Sequence, residues 1–410
     1  MSSSQIVFRL KHTSQQLQDK EFKGIKMIEE SPIRVLRIIA RMNVGGPAIQ
    51  ITGLMQYLPR SEFKQLLVTG YCSAEELDYL DENQIEIDVH KIMGFGRSIS
   101  IWMDLQVFLA LRRRIKYFDP HIIHTHTAKA GFLGRLASLT IRKKYFLVHT
   151  FHGHLLHGYF GSCKTKLVIL AERVMSNYTD ALISVGSRVM EELLAVNIGS
   201  SKKFLVFGPG IQLKKLPPKK LAMEELNIPS KKYIISWIGR AVKIKAPERI
   251  LEIARECKLR NLNVHFTISG DGPLLTDLKL KARELELPIQ FLGWQSDIEK
   301  VLSFSDLVIL TSENEGMPVA LIQAQMAGIP VLTTDVGSAS EVLVNGKSGF
   351  CIDYSAKDFV DKIETLINNP QMQKTFGEAG KKNAMEKFSR SRLVSDHANL
   401  YRRLISQSNS

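Results

Sequence analysis

Arg240 and Lys245 stand five positions apart, just after an apolar, β-branched run, Tyr233–Gly239 (YIISWIG). A guanidinium fork and a point ammonium at one strand end make a clamp suited to a diphosphate. Glu315-Gly316-Met317-Pro318 follows a second such run, Leu307–Ser312 (LVILTS). Pro318 suits a helix start, which sets the amides of Gly316 and Met317 beside the helix's positive end. Gln323 comes eight positions after Glu315, and a carboxylate and an amide so placed can hold polyhydroxyl groups. Gly45 and Gly46, in Asn43–Ala48 (NVGGPA), follow the first strand candidate; their amides can hold an anion or hydroxyls, and the same residues also suit a plain strand–helix turn. Histidines gather in His149–His154 (HTFHGH) and His124–His126 (HTH). Metal ligation, acid–base work and hydrogen-bond donation are all open to them. Neither a helical H-E-x-x-H nor a nearby carboxylate partner accompanies them, so donation to a sugar hydroxyl is the more economical reading, beside that of satisfied structural histidines.

The elements that must position these residues alternate along the chain. In the first half the strand candidates are 34–40, 65–71, 85–92, 121–126, 146–152 and 181–185; in the second, 233–239, 264–270, 289–293, 307–312 and 330–336. Helical-period segments lie between them, for example Lys166–Tyr178 with apolar residues at three- and four-residue steps. Strand–helix alternation predicts right-handed crossovers and mostly parallel sheets covered on both faces. Ligands then bind outside the carboxyl ends of the strands. The predicted organisation is a polar, poorly ordered leader over 1–31, a first domain over 32–212, a Lys- and Pro-rich linker over 213–230, a second domain over 231–388, and a C-terminal helix over 389–410 able to cross back to the first domain.

Composition excludes several classes. The chain has 410 residues, 44% hydrophobic and 23% charged, an ordinary globular balance. Its four cysteines are scattered without a C-x-x-C, against a disulfide scaffold or thiolate zinc site. No apolar stretch approaches the roughly 18–20 residues needed to span a bilayer, and residues 1–30 lack the apolar region of a secretory signal. The net charge of +14 is uneven: residues 101–150 hold nine Lys/Arg against two Asp/Glu, in Arg112-Arg113-Arg114-x-Lys116 and Arg142-Lys143-Lys144. Such clusters suit polyanions or an anionic lipid surface, and equally a solvated helix face. Zinc-finger spacing and RNP-like aromatics are absent, which argues against nucleic acid. Gly94-Phe95-Gly96 and Gly270-Asp271-Gly272 do not complete G-x-G-x-x-G, since Ile99 and Leu275 hold the last positions.

Together these residues resemble the retaining glycosyltransferases of the GT-B fold, specifically glycosyltransferase family 4. The similarity runs from about Arg34 to Tyr401 and is sharpest in His124–Ala137, Thr150–Phe160, Ala171–Val185, Gly270–Pro273 (GDGP) and Thr311–Gly337. The resemblance implies an α/β GT-B architecture of two Rossmann-like, doubly wound parallel-sheet domains facing a central cleft. It implies that Arg240 and Lys245 hold the donor diphosphate, that Glu315 holds donor-sugar hydroxyls, and that Gly316 and Met317, just before Pro318, offer amides to the same sugar. It further implies that His152 contacts that sugar near the reacting carbon, that Gly45 and Gly46 line donor phosphate and acceptor, and that Gly293 and Trp294 lie along the base. In the family's E-x7-E motif the second glutamate grips the ribose; here Gln323 replaces it. An amide has one acceptor oxygen where a carboxylate can accept from both hydroxyls of a diol, a loss of about 1–2 kcal/mol.

The reaction so implied transfers a hexose-type sugar from a UDP- or GDP-sugar, with retention, to an acceptor hydroxyl, in cell-surface polysaccharide biosynthesis. The acceptor expected is a polyprenyl-diphosphate-linked glycan. No cofactor or metal is expected, the sequence having no Asp-x-Asp. The location expected is the cytoplasm, peripheral to the inner face of the cytoplasmic membrane, with an anionic membrane surface as a candidate partner. A nucleotide-sugar 2-epimerase and an inactive nucleotide-sugar-binding relative, the latter motivated by Gln323, are the competing readings.

Overall fold

The computed structural model describes residues 31–74, 76–96, 100–153 and 162–407. The leader predicted over 1–31 lies, apart from its last residue, outside them.

Among the described residues there are two parallel sheets. The first has the order β3-β2-β1-β4-β5-β6-β7, with β1 Ile33–Ile38, β2 Phe63–Thr69, β3 Val89–Lys91, β4 Ile122–His126, β5 Phe146–Phe151, β6 Ala181–Ser184 and β7 Phe204–Val206. The second runs β10-β9-β8-β11-β12-β13, with β8 Tyr233–Ile238, β9 Val264–Ser269, β10 Ile289–Gly293, β11 Leu307–Leu310, β12 Val331–Thr334 and β13 Gly349–Ile352. Strands β4, β6, β11 and β12 are buried along their whole length, as expected where helices cover both faces of a parallel sheet. In each sheet the strand order reverses once, between β1 and β4 and between β8 and β11. A doubly wound sheet opens a crevice at such a point, outside the strands' carboxyl ends.

The sequence reading missed β7 and β13, both edge strands of three and four residues. It also overran β3. The linker predicted over 213–230 is corrected in part: Lys219–Glu225 is a helix. It buries Ala222 and Met223 against Ile234, Val301 and Phe304 of the second lobe, so a highly charged exposed face conceals an anchored inner one.

The chain passes between the lobes twice. Ile211 donates its backbone N–H to Phe388 O at 2.7 Å and accepts from Arg390 N at 3.1 Å, so the two crossings lie side by side. Helix Pro370–Phe388 packs on the second lobe, while helix Arg390–Ser406 buries Leu393, Leu400, Tyr401 and Leu404 against Val35, Leu54, Phe63 and Ile122 of the first.

Candidate active site

Arg240, Lys245, Glu315, Gly316, Met317, His152, Gly270, Gly293 and Trp294 fall at a strand's carboxyl end or in the segment after it, whereas Gln323 lies inside a helix. Arg240 follows β8, and its side chain is exposed, without a hydrogen bond or ion pair among the described residues. The Gly270-Asp271-Gly272 turn after β9 packs onto this segment: a Cβ at Gly270 would stand 1.8 Å from Gly239 O. Gly270 has φ 138°, a conformation and a closeness that demand glycine. Gly270 N donates to Gly293 O at 2.7 Å, which brings Gly293 and the partly exposed Trp294 alongside.

Lys245 closes a 3₁₀ turn, Lys243–Lys245. That turn is tied to the end of β11 by Glu313 N donating to Ile244 O at 2.9 Å and by Thr311 Oγ1 donating to Ala246 O at 3.1 Å. Lys245 Nζ therefore meets the buried carboxylate of Glu315 at 2.5 Å, and Ser312 Oγ donates to the same Oε1 at 2.6 Å. The residue that the resemblance assigns to diphosphate and the one it assigns to sugar thus contact each other. Pro318 caps helix Val319–Met326, on which Gln323 is half-buried.

The first lobe approaches this point from the other side. A Cβ on Gly316 would lie 2.5 Å from His152 O and 2.8 Å from Gly153 Cα, so only glycine permits this contact between lobes. Met317 packs both against its own lobe's core and against the Phe151–Val185 cluster of the other. Gly46, at the start of helix Gly46–Tyr57, faces Val319. Gly45, Gly46, His152, Glu315, Gly316 and Met317 are thereby brought together at the interlobe junction, with Lys245 joined through Glu315. His154, the last of the HTFHGH run, lies outside the described residues.

His152 stands at the end of a buried chain. Its Nε2 meets His126 Nδ1 at 2.9 Å, His126 stacks on His124, and Arg37 Nη1 donates to His124 Nδ1 at 3.1 Å. Tyr401 Oη donates to that same nitrogen at 2.7 Å, which leaves the His124 proton on Nε2, donated to Thr150 Oγ1 at 2.7 Å. His126 Nε2 is buried without a partner among the described residues. An orphaned donor is rarer in proteins than an under-satisfied acceptor, which favours a proton on His126 Nδ1, donated to His152. His152 then carries its own proton on Nδ1. Burial pushes the His152 imidazole down to about 3 and holds His124 and His126 well below their ordinary range, with Arg37 adding to the effect on the latter two. The ring at the cleft is neutral at physiological pH.

A second interlobe contact was not anticipated. The carboxylate of Glu341 accepts from the backbone N–H groups of Ser187 and Arg188, at 2.8 and 3.0 Å. These open helix Ser187–Ala195 of the other lobe. Arg188 in turn pairs with Asp335 at 2.5 Å and donates to Gly337 O. Burial raises the Glu341 carboxyl, but these donors outweigh it and hold it below its usual value. Among the described residues no group of three or more His, Cys, Asp or Glu is placed to hold a metal ion.

Two doubly wound parallel-sheet lobes that meet over a basic and a carboxylate residue form a GT-B fold. Residues 44–215 match the family described as "Glycosyltransferase Family 4", and residues 218–383 match "Glycosyl transferases group 1". Between them the two matches span most of the chain, which is a hexosyltransferase-type glycosyltransferase similar to family 4. It is 28% identical, over 78% of its length and 83% of the relative's, to the UDP-Gal:alpha-D-GlcNAc-diphosphoundecaprenol alpha-1,3-galactosyltransferase of Escherichia coli. It is 24% identical, over 79% of its length and 88% of the relative's, to the capsular polysaccharide biosynthesis glycosyltransferase CapM of Staphylococcus aureus. Among solved structures, Anabaena HepE in complex with UDP and glucose superimposes with a TM-score of 0.75 at 18% identity, covering 90% of this chain and 99% of that one.

Proposed function

We propose that this enzyme transfers a hexose from a nucleoside-diphosphate sugar to a lipid-linked glycan, with retention at the anomeric carbon, in bacterial surface-polysaccharide biosynthesis. The observation that carries this reading is the meeting of His152 and Gly153 with Gly316, directly beside the Lys245–Glu315 pair. The E. coli relative's diphosphoundecaprenol acceptor supports the lipid-linked class, and the UDP of the Anabaena structure supports uridine as the base.

The proposed reaction is a front-face displacement. The bond from the anomeric carbon to the diphosphate oxygen breaks, and its electron pair stays on the diphosphate. The acceptor hydroxyl attacks from the same face and passes its proton to that oxygen. Arg240, without a protein partner among the described residues, is available to the growing negative charge, a preorganised electrostatic role. Lys245 exchanges part of its contact with Glu315 for phosphate, and Glu315 is then freer to accept from sugar hydroxyls. His152, neutral with its proton on Nδ1, serves as a hydrogen-bond donor. Closure of the lobes excludes water and suppresses hydrolysis.

The test is incubation of the full chain with UDP- and GDP-hexoses, with and without a polyprenyl-diphosphate-linked sugar, with products read by NMR. A new glycosidic bond that keeps the donor's anomeric configuration is expected. Inversion removes the mechanism. An epimerised nucleotide-sugar formed without acceptor establishes the 2-epimerase reading instead.

A further inference from the structure

His126 stands behind His152, and the reaction above gives it no part. It ends β4 with 1% of its surface exposed. Its Nδ1 lies 2.9 Å from His152 Nε2. Burial keeps both rings neutral, so across this contact one nitrogen must donate and the other accept. With His126 Nε2 buried and unpartnered among the described residues, donation runs from His126 to His152.

Two features hold the His126 ring in place. The first is the ring stacked on it. His124 and His126 have centroids 4.3 Å apart, and His124 is bound at both nitrogens. Arg37 and Tyr401 donate to its Nδ1, and its Nε2 meets Thr150 Oγ1. Tyr401 comes from helix Arg390–Ser406, so the helix that crosses back to the first lobe braces this stack. Arg37 is fully buried and bonds Gln65 and His124, with no ion pair among the described residues. A buried charge without a counter-ion is costly, and here it opposes a second proton on His124 or His126.

The second feature is backbone strain. Thr127, the next residue, has φ 64° and ψ 158°, a region that glycine enters freely and a β-branched residue does not. Helix Ala128–Leu139 starts at once and lies hard against β5: a Cβ at Gly131 would stand 2.4 Å from His149 Cε1. The turn from β4 into that helix is thus made in a single residue, and the strain falls beside His126. Strain of this kind persists where the surrounding structure over-determines it, and it gathers at functional sites.

We infer that His126 is a positioning residue: it donates from Nδ1 to His152 Nε2, fixes the proton of His152 on Nδ1, and so keeps that N–H for the donor sugar. It acts through His152 and touches neither substrate nor leaving group. The inference rests on the role proposed for His152 as a hydrogen-bond donor and names what enforces it.

The test uses the full chain, labelled with nitrogen-15 in its histidine rings, with the His152 signals identified by their loss in His152→Gln. His126→Leu removes the donor, and His126→Asn keeps an N–H near the place of Nδ1. The ring-nitrogen shifts of the parent chain and of His126→Asn are expected to show His152 protonated on Nδ1, and those of His126→Leu a shift of that proton toward Nε2. His126→Leu is expected to lower kcat by at least about tenfold with donor KM within threefold, and His126→Asn to recover most of the loss. Combining His126→Leu with His152→Gln is expected to be no slower than His152→Gln alone, because one acts through the other. A proton on Nε2 of His152 in the parent chain overturns the inference, whether or not His126→Leu folds. So does an unshifted proton in His126→Leu, or a double variant tenfold slower than His152→Gln. If the proton shifts as expected while His152→Gln keeps its turnover, the role of His152 toward the sugar fails and the control of its proton by His126 stands.

Discussion

Gln323 stands where the resemblance places a second glutamate, and its chemistry sets a prediction. It sits half-buried on helix Val319–Met326, one and a half turns beyond Pro318. If it faces the nucleotide ribose, Gln323→Glu restores an acceptor for both hydroxyls and tightens nucleoside-diphosphate binding about tenfold by calorimetry. Unchanged or weaker binding removes the ribose assignment. Much of the site was legible at this scale because Arg240, Glu315 and His152 each end or follow a β-branched run, where side chains reach a crevice. The pairing of Lys245 with Glu315 was not, because 70 residues separate them and only the β8–β11 adjacency joins them. Arg37 carried a faint signal, a charge inside the run RVLRIIA. Its partners Gln65, His124 and Tyr401 come from three distant elements that no local pattern connects.

At the scale of elements, central strands announced themselves by composition, and the edges did not. β7 (FLV) and β13 (GFCI) are too short for a period to register. The helix Lys219–Glu225 was hidden because its lysines and flanking prolines dominate the composition, while the two residues that anchor it, Ala222 and Met223, do not. Glu341 shows how an element can be completed from the other lobe. Its carboxylate supplies helix Ser187–Ala195 with the N-terminal acceptors that its own Gly186 cannot provide. Loss of such a cap costs about 1 kcal/mol. Glu341→Gln is therefore expected to speed amide hydrogen exchange at Ser187 and Arg188. Unaltered protection at both amides contradicts a clasp between the lobes.

The whole molecule is two sheets joined by two adjacent crossings. Among the described residues, its first lobe also buries histidines without a carboxylate beside them, which fixes an acid response. Burial, chiefly, drives His397 down to about 3, against about 6.5 in an unfolded chain. Between those values the unfolded chain binds a proton that the folded one refuses, so stability rises with pH across this window. The contribution is complete above 6.5 and is lost as pH falls toward 3, amounting to about 2 kcal/mol between pH 7.5 and 5. Urea unfolding at both pH values should show His397→Leu losing about 2 kcal/mol less than the parent chain, and an equal loss contradicts it. The central claim concerns charge on a departing diphosphate, and the single-turnover rate of nucleoside-diphosphate release measures it most directly. Arg240→Ala is expected to slow that step at least 100-fold at saturating donor while thermal unfolding changes little; a rate within threefold of the parent chain contradicts the account.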